Sequence, residues 1–128
     1  MTEEELKRRG YKIENAKITK VSLSFADHAV LTLNLTLEGR GWGCCYGGYV
    51  LGHGCLGGDY FSSTEKAMVS VMKIMDTVGV ETLESVNGKL VRAAFKGTGS
   101  SPVEWIGNII EDKWYSNADF FSEGRENG

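Results

Sequence analysis

The chain has 128 residues, of which 41% are hydrophobic and 24% are charged, and its formal net charge is −3. This length and composition fit one domain with one hydrophobic core. The acidic balance argues against a surface for polymeric nucleic acid, and no apolar run approaches the roughly 18 residues that a membrane span requires.

The N-terminal segment and the cysteines indicate the compartment. Residues 1–9 are acidic and then basic, and they lack the apolar core of a signal peptide. The three cysteines, of which two are adjacent, do not resemble the even-numbered framework of a secreted protein. We therefore expect a cytoplasmic protein whose residues 1–10 form a charged, partly helical lead-in.

Alternating apolar residues predict three consecutive strands in the first half of the chain. The first covers residues 11–25 and needs a bulge or bend near residues 17–20, where its apolar phase shifts. The second, residues 29–38, places its leucines on one face and should pair with the first as an antiparallel hairpin. The third, residues 41–51, contains Gly47-Gly48, which indicates a bulge or a close approach. Alternation divides the side chains of the third strand between two faces: Trp42, Cys44 and Tyr46 on one, and Cys45, Tyr49 and Leu51 on the other.

One long helix is predicted from Ser62 to about Val78. Ser62 and Glu65 have the spacing of a capping box, and the apolar residues that follow recur at helical spacing on one side. Gly79 is a natural residue for the end of this helix. A further turn within residues 80–86 should pack through its apolar side chains.

Two more strands are predicted after the helix, at residues 89–95 and 103–110. Residues 117–121 should form a short terminal turn, followed by a polar, disordered tail at residues 122–128. The order β-β-β-α-β-β predicts an α+β fold, in which a mostly antiparallel sheet of about five strands packs with one long helix. Residues 1–121 should therefore form a single domain.

The stretch Gly39–Tyr60 is unusual because it holds more than half of the glycines and all of the cysteines. Glycine permits positive φ and close approach to another group. Aromatic residues between the glycines supply flat apolar faces, and the helix start that follows supplies free N–H groups and a partial positive charge. This combination predicts a site for an anionic ligand that contains a ring.

The cysteines and histidine of this stretch offer a weaker hypothesis of metal binding or thiol catalysis. Cys44, Cys45, His53 and Cys55 are potential zinc ligands, but adjacent residues of a strand point to opposite faces. A thiol hydrolase needs a base held by a third group, and the glycine-rich loop around His53 has no obvious orienting residue. We predict no metal, no cofactor and no catalytic residue.

Two features could bind phosphate. The hydroxyl residues 62–64 lie beside the free N–H groups of the helix start, although plain capping by Ser62 and Glu65 explains the same residues. Arg92 lies within a predicted strand, where it either faces solvent or points into a site. Its planar guanidinium would suit two phosphate oxygens.

Phe120 and Phe121 are apolar residues near an otherwise polar end of the chain. Exposed aromatic residues of this kind need something to cover them, and a second subunit would do so. The sequence therefore predicts self-association.

Several stretches share a pattern with small proteins of phages and prophages. These stretches are residues 11–18, Asp27-His28, Gly47-Gly48-Tyr49, the helix 67–78 with its ending at residues 75–81, residues 88–92 and residues 106–114. Over roughly residues 11–121, the chain resembles the Thoeris anti-defence proteins of the first type.

The resemblance implies a sponge, which is not an enzyme. Such proteins bind the cyclic ADP-ribose isomers that bacterial TIR-domain enzymes make during infection, and they keep the ligand intact. Family members form dimers that assemble into hexamers, and some also bind cyclic oligonucleotides at separate pockets. The implied location is the cytoplasm of the infected bacterial host, with no membrane and no polymeric nucleic acid as a partner.

The resemblance also suggests which residues contact the ligand, by motif and chemistry. They are the aromatic residues Trp42, Tyr46, Tyr49 and Phe95, the helix-start residues Ser63, Thr64 and Met68, and the polar residues Arg92, Asn108 and Lys113. The Cys44-Cys45 pair and the Gly52–Gly58 loop depart from the family pattern and leave the shape of the pocket rim open.

Two alternatives remain at this point. The first is a phage protein that binds a host defence protein directly, in the manner of anti-CRISPR proteins. The second is a hydrolase of the same cyclic nucleotides.

Overall fold

The computed structural model describes residues 1–25, 29–97 and 101–126. Residues 26–28, which connect the first two predicted strands, residues 98–100, which lie between the last two predicted strands, and the last two residues of the expected tail lie outside this range. None of the helices in the part of the chain that the structure describes has the length and apolar character needed to span a bilayer.

Seven strands form one antiparallel sheet in the order β4-β3-β2-β1-β5-β6-β7. The strands are β1 (Lys12–Ser24), β2 (Val30–Gly39), β3 (Trp42–Gly54), β4 (Phe61–Ser63), β5 (Leu90–Phe95), β6 (Val103–Asn108) and β7 (Trp114–Tyr115). The helices are α1 (Glu3–Arg8), α2 (Glu65–Val78) and α3 (Asn117–Glu126), and a 3₁₀ turn spans Glu84–Val86. The α+β class is confirmed, but the predicted five strands and single helix are wrong. Strands β4 and β7 have three and two residues, too few to show a period in the sequence.

The predicted hairpin of β1 and β2 is present, and the expected irregularity in β1 is confirmed. The pairing register of the two strands shifts between Ile18 and Lys20. This shift lets Ile18 and Val21, which are three residues apart, both contact the main core, Ile18 as a buried member and Val21 partly buried against it. The leucines of β2 face the same core.

Strand β3 contains the expected bulge, and the bulge changes which residues share a face. Gly47 and Gly48 have positive φ, and a Cβ on Gly47 would lie 2.1 Å from the carbonyl oxygen of Leu33. Because the bulge shifts the alternation, Leu51 is buried in the same cluster as Tyr46. The prediction that these two side chains face opposite sides is therefore wrong.

The sheet curls around α2, so that strands far apart in the sheet meet. The hydroxyl of Tyr46 on β3 donates to the carbonyl oxygen of Tyr115 on β7 at 3.4 Å and accepts from the N–H of Asn117 at 2.9 Å. Burial raises the pKa of the Tyr46 hydroxyl far above its usual value. This buried contact closes the core between β3 and the start of α3.

The first helix covers the outer face of the sheet. Leu6 is completely buried in a small cluster with Ala94 and Trp105, so one apolar residue anchors the charged lead-in. The N–H of Glu3 donates to the Asp112 carboxylate at 2.7 Å. The N-terminal helix is thus tied to the segment that connects β6 and β7.

The second helix begins later than predicted. Ser62 lies in β4, and Thr64 is the N-cap, because its side-chain oxygen accepts from the N–H of Ala67 at 3.1 Å. The predicted capping box of Ser62 and Glu65 is wrong, since the short strand β4 occupies the residues before Thr64. The predicted end at Gly79 is confirmed by its left-handed φ of 91°.

The third helix runs on to Glu126, beyond the expected end of the terminal turn. Phe120 and Phe121 are partly buried and pack against the main core of their own chain. The ring of Phe121 stacks on Tyr49 with centroids 5.3 Å apart. Covering these residues therefore does not require a second subunit.

Candidate functional site

The ten residues predicted to contact a ligand are distributed over three parts of the fold. One group consists of aromatic residues on β3 and β5, one lies at the start of α2, and one lies where β5, β6 and β7 meet. The three groups do not line a common cavity among the pockets described below.

The aromatic group has little free surface. Trp42 packs against Phe95 with ring centroids 5.9 Å apart, and its indole N–H donates to a β1 carboxylate at 3.2 Å. Phe95 and Tyr46 are 3% and 5% exposed. Tyr49 is 40% exposed, but one face of its ring is covered by Phe121. These side chains mainly build the core.

The residues at the start of α2 are largely occupied by the protein itself. The Ser63 hydroxyl donates to the Leu51 carbonyl oxygen at 2.8 Å, and the Thr64 hydroxyl caps the helix. Met68 is 58% exposed and carries no charge. Hydrogen bonding within the protein therefore accounts for Ser63 and Thr64 without a ligand.

The glycine-rich hairpin, which we define as β3, β4 and the loop between them, borders two open cavities that share His53. One of about 340 Å³ is lined by Phe25, Leu31, Phe61 and the adjoining hairpin backbone. The other, of about 390 Å³, extends from Ala29 to Tyr60. No lysine or arginine among the described residues lines either cavity, so the described lining offers no permanent positive charge to a phosphate.

Arg92 neither faces solvent nor points into a cavity. Its Nε donates to the Asn108 carbonyl oxygen at 2.8 Å, and its Nη2 donates to the Glu111 carbonyl oxygen at 2.8 Å. Its Nη1 pairs with the Glu3 carboxylate, and the guanidinium lies 4.7 Å from the ring centroid of Trp114. The side chain is 14% exposed, so this arginine ties α1, β5 and the β6–β7 connection together.

Asn108 is a second structural anchor. Its amide nitrogen donates to the carbonyl oxygens of Thr77 and Val78 at the end of α2, at 3.0 and 3.4 Å. Its side-chain oxygen accepts from the N–H groups of Ile110 and Glu111, both at 2.9 Å. The amide satisfies backbone groups that a helix end and a turn leave unpaired, and it is buried while doing so.

Lys113 lies close to this anchor but is held by acidic side chains. Its Nζ is 3.3 Å from Asp76 Oδ1 and 3.6 Å from Glu111 Oε2. These carboxylates neutralise the ammonium, and all three side chains are exposed. The residue is therefore a poor ligand for a phosphate unless the ion pairs open.

The cysteines show no sign of activation. Cys44 is half-buried, and this burial raises the pKa of its thiol, whereas a nucleophilic cysteine needs a lowered pKa. Cys45 and Cys55 are exposed and free of disulfides. Within residues 1–25, 29–97 and 101–126, no group of three histidine, cysteine, aspartate or glutamate side chains could hold a metal ion.

A different cavity gathers charged and aromatic side chains at the opposite end of the sheet. It has a volume of about 360 Å³, which lies in the range of small-molecule sites. We call it the terminal cavity, because its walls come mainly from residues near the two ends of the chain. They are Met1, Glu5 and Arg9 of the N-terminal segment, Lys73 of α2, Trp105 of β6, Trp114 and Tyr115 of β7, and Ser116, Asp119 and Phe120 of the C-terminal segment.

Two cationic side chains line the terminal cavity. The Arg9 Nη2 forms an ion pair with Glu5 Oε1 at 2.9 Å, one helical turn away on α1. The Lys73 Nζ lies 5.6 Å from the ring centroid of Phe120. Among the side chains that the structure describes, no carboxylate lies within 4.0 Å of this Nζ. Lys73 therefore has positive charge available for a ligand.

The aromatic walls and one hydroxyl group complete the terminal cavity. A Cβ on Gly107 would lie 2.5 Å from the ring of Trp114, so the missing side chain of this glycine lets the indole lie across β6. Trp105, in the same sheet, is 7% exposed. Ser116 is 4% exposed, and its Oγ accepts from the N–H of Asp119 at 3.3 Å, which leaves the hydroxyl hydrogen able to donate.

Sequence reasoning missed the terminal cavity because its residues share no local motif. Arg9 lies in a short charged helix, Lys73 lies on an amphipathic helix, and Trp114 and Phe120 are among many aromatic residues of the chain. The curl of the sheet brings them together. Pairing of β6 with β7 was the missing information, since β7 is too short to be recognised.

No family model, curated protein or solved structure matches this chain. The resemblance to the Thoeris anti-defence proteins therefore remains a prediction from the residue pattern.

Proposed function

We propose that the protein is a phage or prophage sponge that binds a cyclic ADP-ribose isomer made by bacterial TIR enzymes and holds it intact. The observation that carries this proposal is the terminal cavity, which combines the Lys73 ammonium, with no ion-pair partner among the described side chains, an arginine and aromatic side chains in about 360 Å³. The residue pattern shared with the anti-defence proteins supplies the identity of the ligand. The site of action is then the cytoplasm of the infected host.

The chemistry of the cavity suits the parts of such a ligand. The ammonium of Lys73 is a suitable partner for the pyrophosphate, because charge-assisted hydrogen bonds are the strong ones. Arg9 can contribute only through the guanidinium N–H groups that its ion pair with Glu5 leaves over. The rings of Trp114 and Phe120 border the cavity, so adenine bound there can contact their exposed edges. The free hydroxyl hydrogen of Ser116 can donate to a ligand oxygen.

Retention without cleavage also fits the lining of the cavity. No histidine or cysteine of the described residues lines it, and its two carboxylates are Glu5, which is paired with Arg9, and Asp119. General acid–base catalysis requires a side chain that can exchange a proton near neutral pH within reach of the scissile bond. Ligand release unchanged after binding is therefore the expected behaviour.

Self-association is part of the same proposal, as dimers that assemble into hexamers. Met68 and Met72 lie one turn apart on α2 and are 58% and 57% exposed. Together they form an apolar strip that a second copy could cover. Phe120 and Phe121 pack against the core of their own chain, so they no longer argue for self-association. The exposed methionine strip is the feature that supports it instead.

A retention experiment tests the proposal. Purified protein is incubated with cyclic ADP-ribose isomers, separated from free ligand by size exclusion with light scattering, and then denatured. Recovery of intact ligand with a multimeric protein is the expected result. Recovery of altered ligand would identify a hydrolase, and no recovery of ligand would contradict the sponge and favour an inhibitor that binds a host protein.

A pair of lysine variants locates the site. Lys73→Ala should weaken ligand binding by about 1.5–3 kcal/mol, the usual range for a hydrogen bond to a charged group, as measured by calorimetry. Lys66→Ala is the matched control, because its Nζ lies 4.9 Å from the centroid of the same Phe120 ring but does not line the cavity. Equal effects of the two substitutions would show that the ligand binds elsewhere.

A further inference from the structure

Among the described residues, four charged side chains line the terminal cavity, two cationic and two anionic. Only two of these four side chains form an ion pair with each other. Glu5 and Arg9 form a closed ion pair on α1. Lys73 on α2 and Asp119 on α3 remain as single charges of opposite sign on the two helices that border the cavity.

Asp119 is fixed to the wall of the cavity by its backbone. It lies in the first turn of α3, and its N–H donates to the Oγ of Ser116, which is itself buried. Among the described side chains, no lysine or arginine nitrogen lies within 4.0 Å of its carboxylate. An anionic ligand held by Lys73 therefore shares the cavity with a carboxylate that forms no ion pair with the described side chains.

We propose that Asp119 is a specificity-determining residue, which limits the negative charge of the ligand that the terminal cavity accepts. This inference rests on the proposed function. A cyclic pyrophosphate has diester-type phosphates only, and its ribose hydroxyls can donate to the Asp119 carboxylate. A ligand with an additional phosphate monoester places more negative charge against that carboxylate, and repulsive contacts of this kind reject wrong partners.

The test compares two ligands that differ by one phosphate, cyclic ADP-ribose and its 2′-phosphorylated derivative. Their affinities for the wild-type chain and for Asp119→Asn are measured by calorimetry at low ionic strength, where charge repulsion is least screened. The wild-type chain should bind cyclic ADP-ribose about tenfold or more tightly than the derivative. In Asp119→Asn this ratio should fall to about threefold or less, mainly because the derivative binds better.

Asp76→Asn is the control variant, because it removes the same charge from an exposed residue outside the cavity. It should leave the ratio of the wild-type chain unchanged. An equal loss of discrimination in both variants would assign the effect to net charge and overturn the role of Asp119.

Two further outcomes separate this inference from the proposed function. Binding of both ligands with equal affinity by the wild-type chain, or an unchanged ratio in Asp119→Asn, would overturn the specificity role while the sponge stands. Failure of the wild-type chain to bind either ligand would overturn both.

Discussion

The glycine-rich hairpin and the terminal cavity are built in opposite ways. The hairpin is one continuous segment, and its distinctive features are backbone conformations and exposed aromatic residues, with no lysine or arginine of residues 1–25, 29–97 and 101–126 lining its cavities. The cavity is assembled from segments more than a hundred residues apart, and its distinctive features are charged and aromatic side chains. A dense local pattern thus marks where the backbone is unusual, whereas a site for a charged ligand depends on tertiary assembly.

Substitution of a glycine in the hairpin should have the largest effect on stability. In Gly47→Ala, the new Cβ would lie 2.1 Å from the Leu33 carbonyl oxygen at a φ of 130°, so backbone must move. We expect a loss of about 3–4 kcal/mol in the free energy of unfolding, measured with denaturant. Gly57→Ala is the control, since its φ is also positive but its Cβ meets nothing within 4 Å. A similar, small loss in both variants would show that the hairpin tolerates side chains at its bulge.

The second prediction concerns Arg92, which was first expected to bind the ligand. Arg92→Ala removes hydrogen bonds to two carbonyl oxygens and to Glu3, together with the contact to Trp114. The free energy of unfolding should fall by about 2–3 kcal/mol, because the buried Asn108 loses the partner of its carbonyl oxygen and three further contacts that join α1, β5 and the β6–β7 connection are lost. Arg92→Lys keeps the charge but loses the planar fork, so it should be intermediate. Weakened ligand binding with unchanged stability would instead return Arg92 to the site.

The smallest expected effect is a pH dependence of the stability that Asp112 contributes. This residue lies in the segment that connects β6 and β7. Hydrogen bonds from the Trp114 indole and from the Glu3 N–H hold the pKa of the Asp112 carboxyl below its usual value of 3.8. Since the folded pKa is the lower one, the unfolded chain takes up the proton first, and stability is lost as the pH falls below that value. The stability difference between wild type and Asp112→Asn should therefore be present at neutral pH and shrink in acid. A constant difference across this range would contradict the assignment.

The sequence predicted most of the central sheet. The periods of β1 and β2, the irregularity near Ile18 and the glycines of β3 were sufficient to indicate those strands and their bulges. The end of α2 at Gly79 was also predictable, because a helix commonly stops at a glycine with left-handed φ. These features are set by residues close together in the sequence, so the sequence pattern alone was enough to predict them.

The rest of the fold depends on contacts that sequence spacing does not encode. Ser62 was expected to cap α2, but pairing of β4 with the end of β3 draws it into a strand and leaves the cap to Thr64. Asn108 and Arg92 were predicted to bind the ligand because their side chains can donate hydrogen bonds. In the structure those donors bond to backbone carbonyl oxygens, which for Asn108 belong to the end of a helix. Lys73 was overlooked because a lysine on a helix surface is usually only solvated, and nothing nearby in the sequence reveals the aromatic partner.

The tie between Glu3 and Asp112 has a consequence for the order of events during synthesis. Residues 1–9 leave the ribosome before the strands and helix with which they form the terminal cavity. Contacts of such long sequence separation form late in folding, because the intervening chain must be ordered first. A nascent chain therefore lacks the terminal cavity until Trp114 and Phe120 have been synthesised.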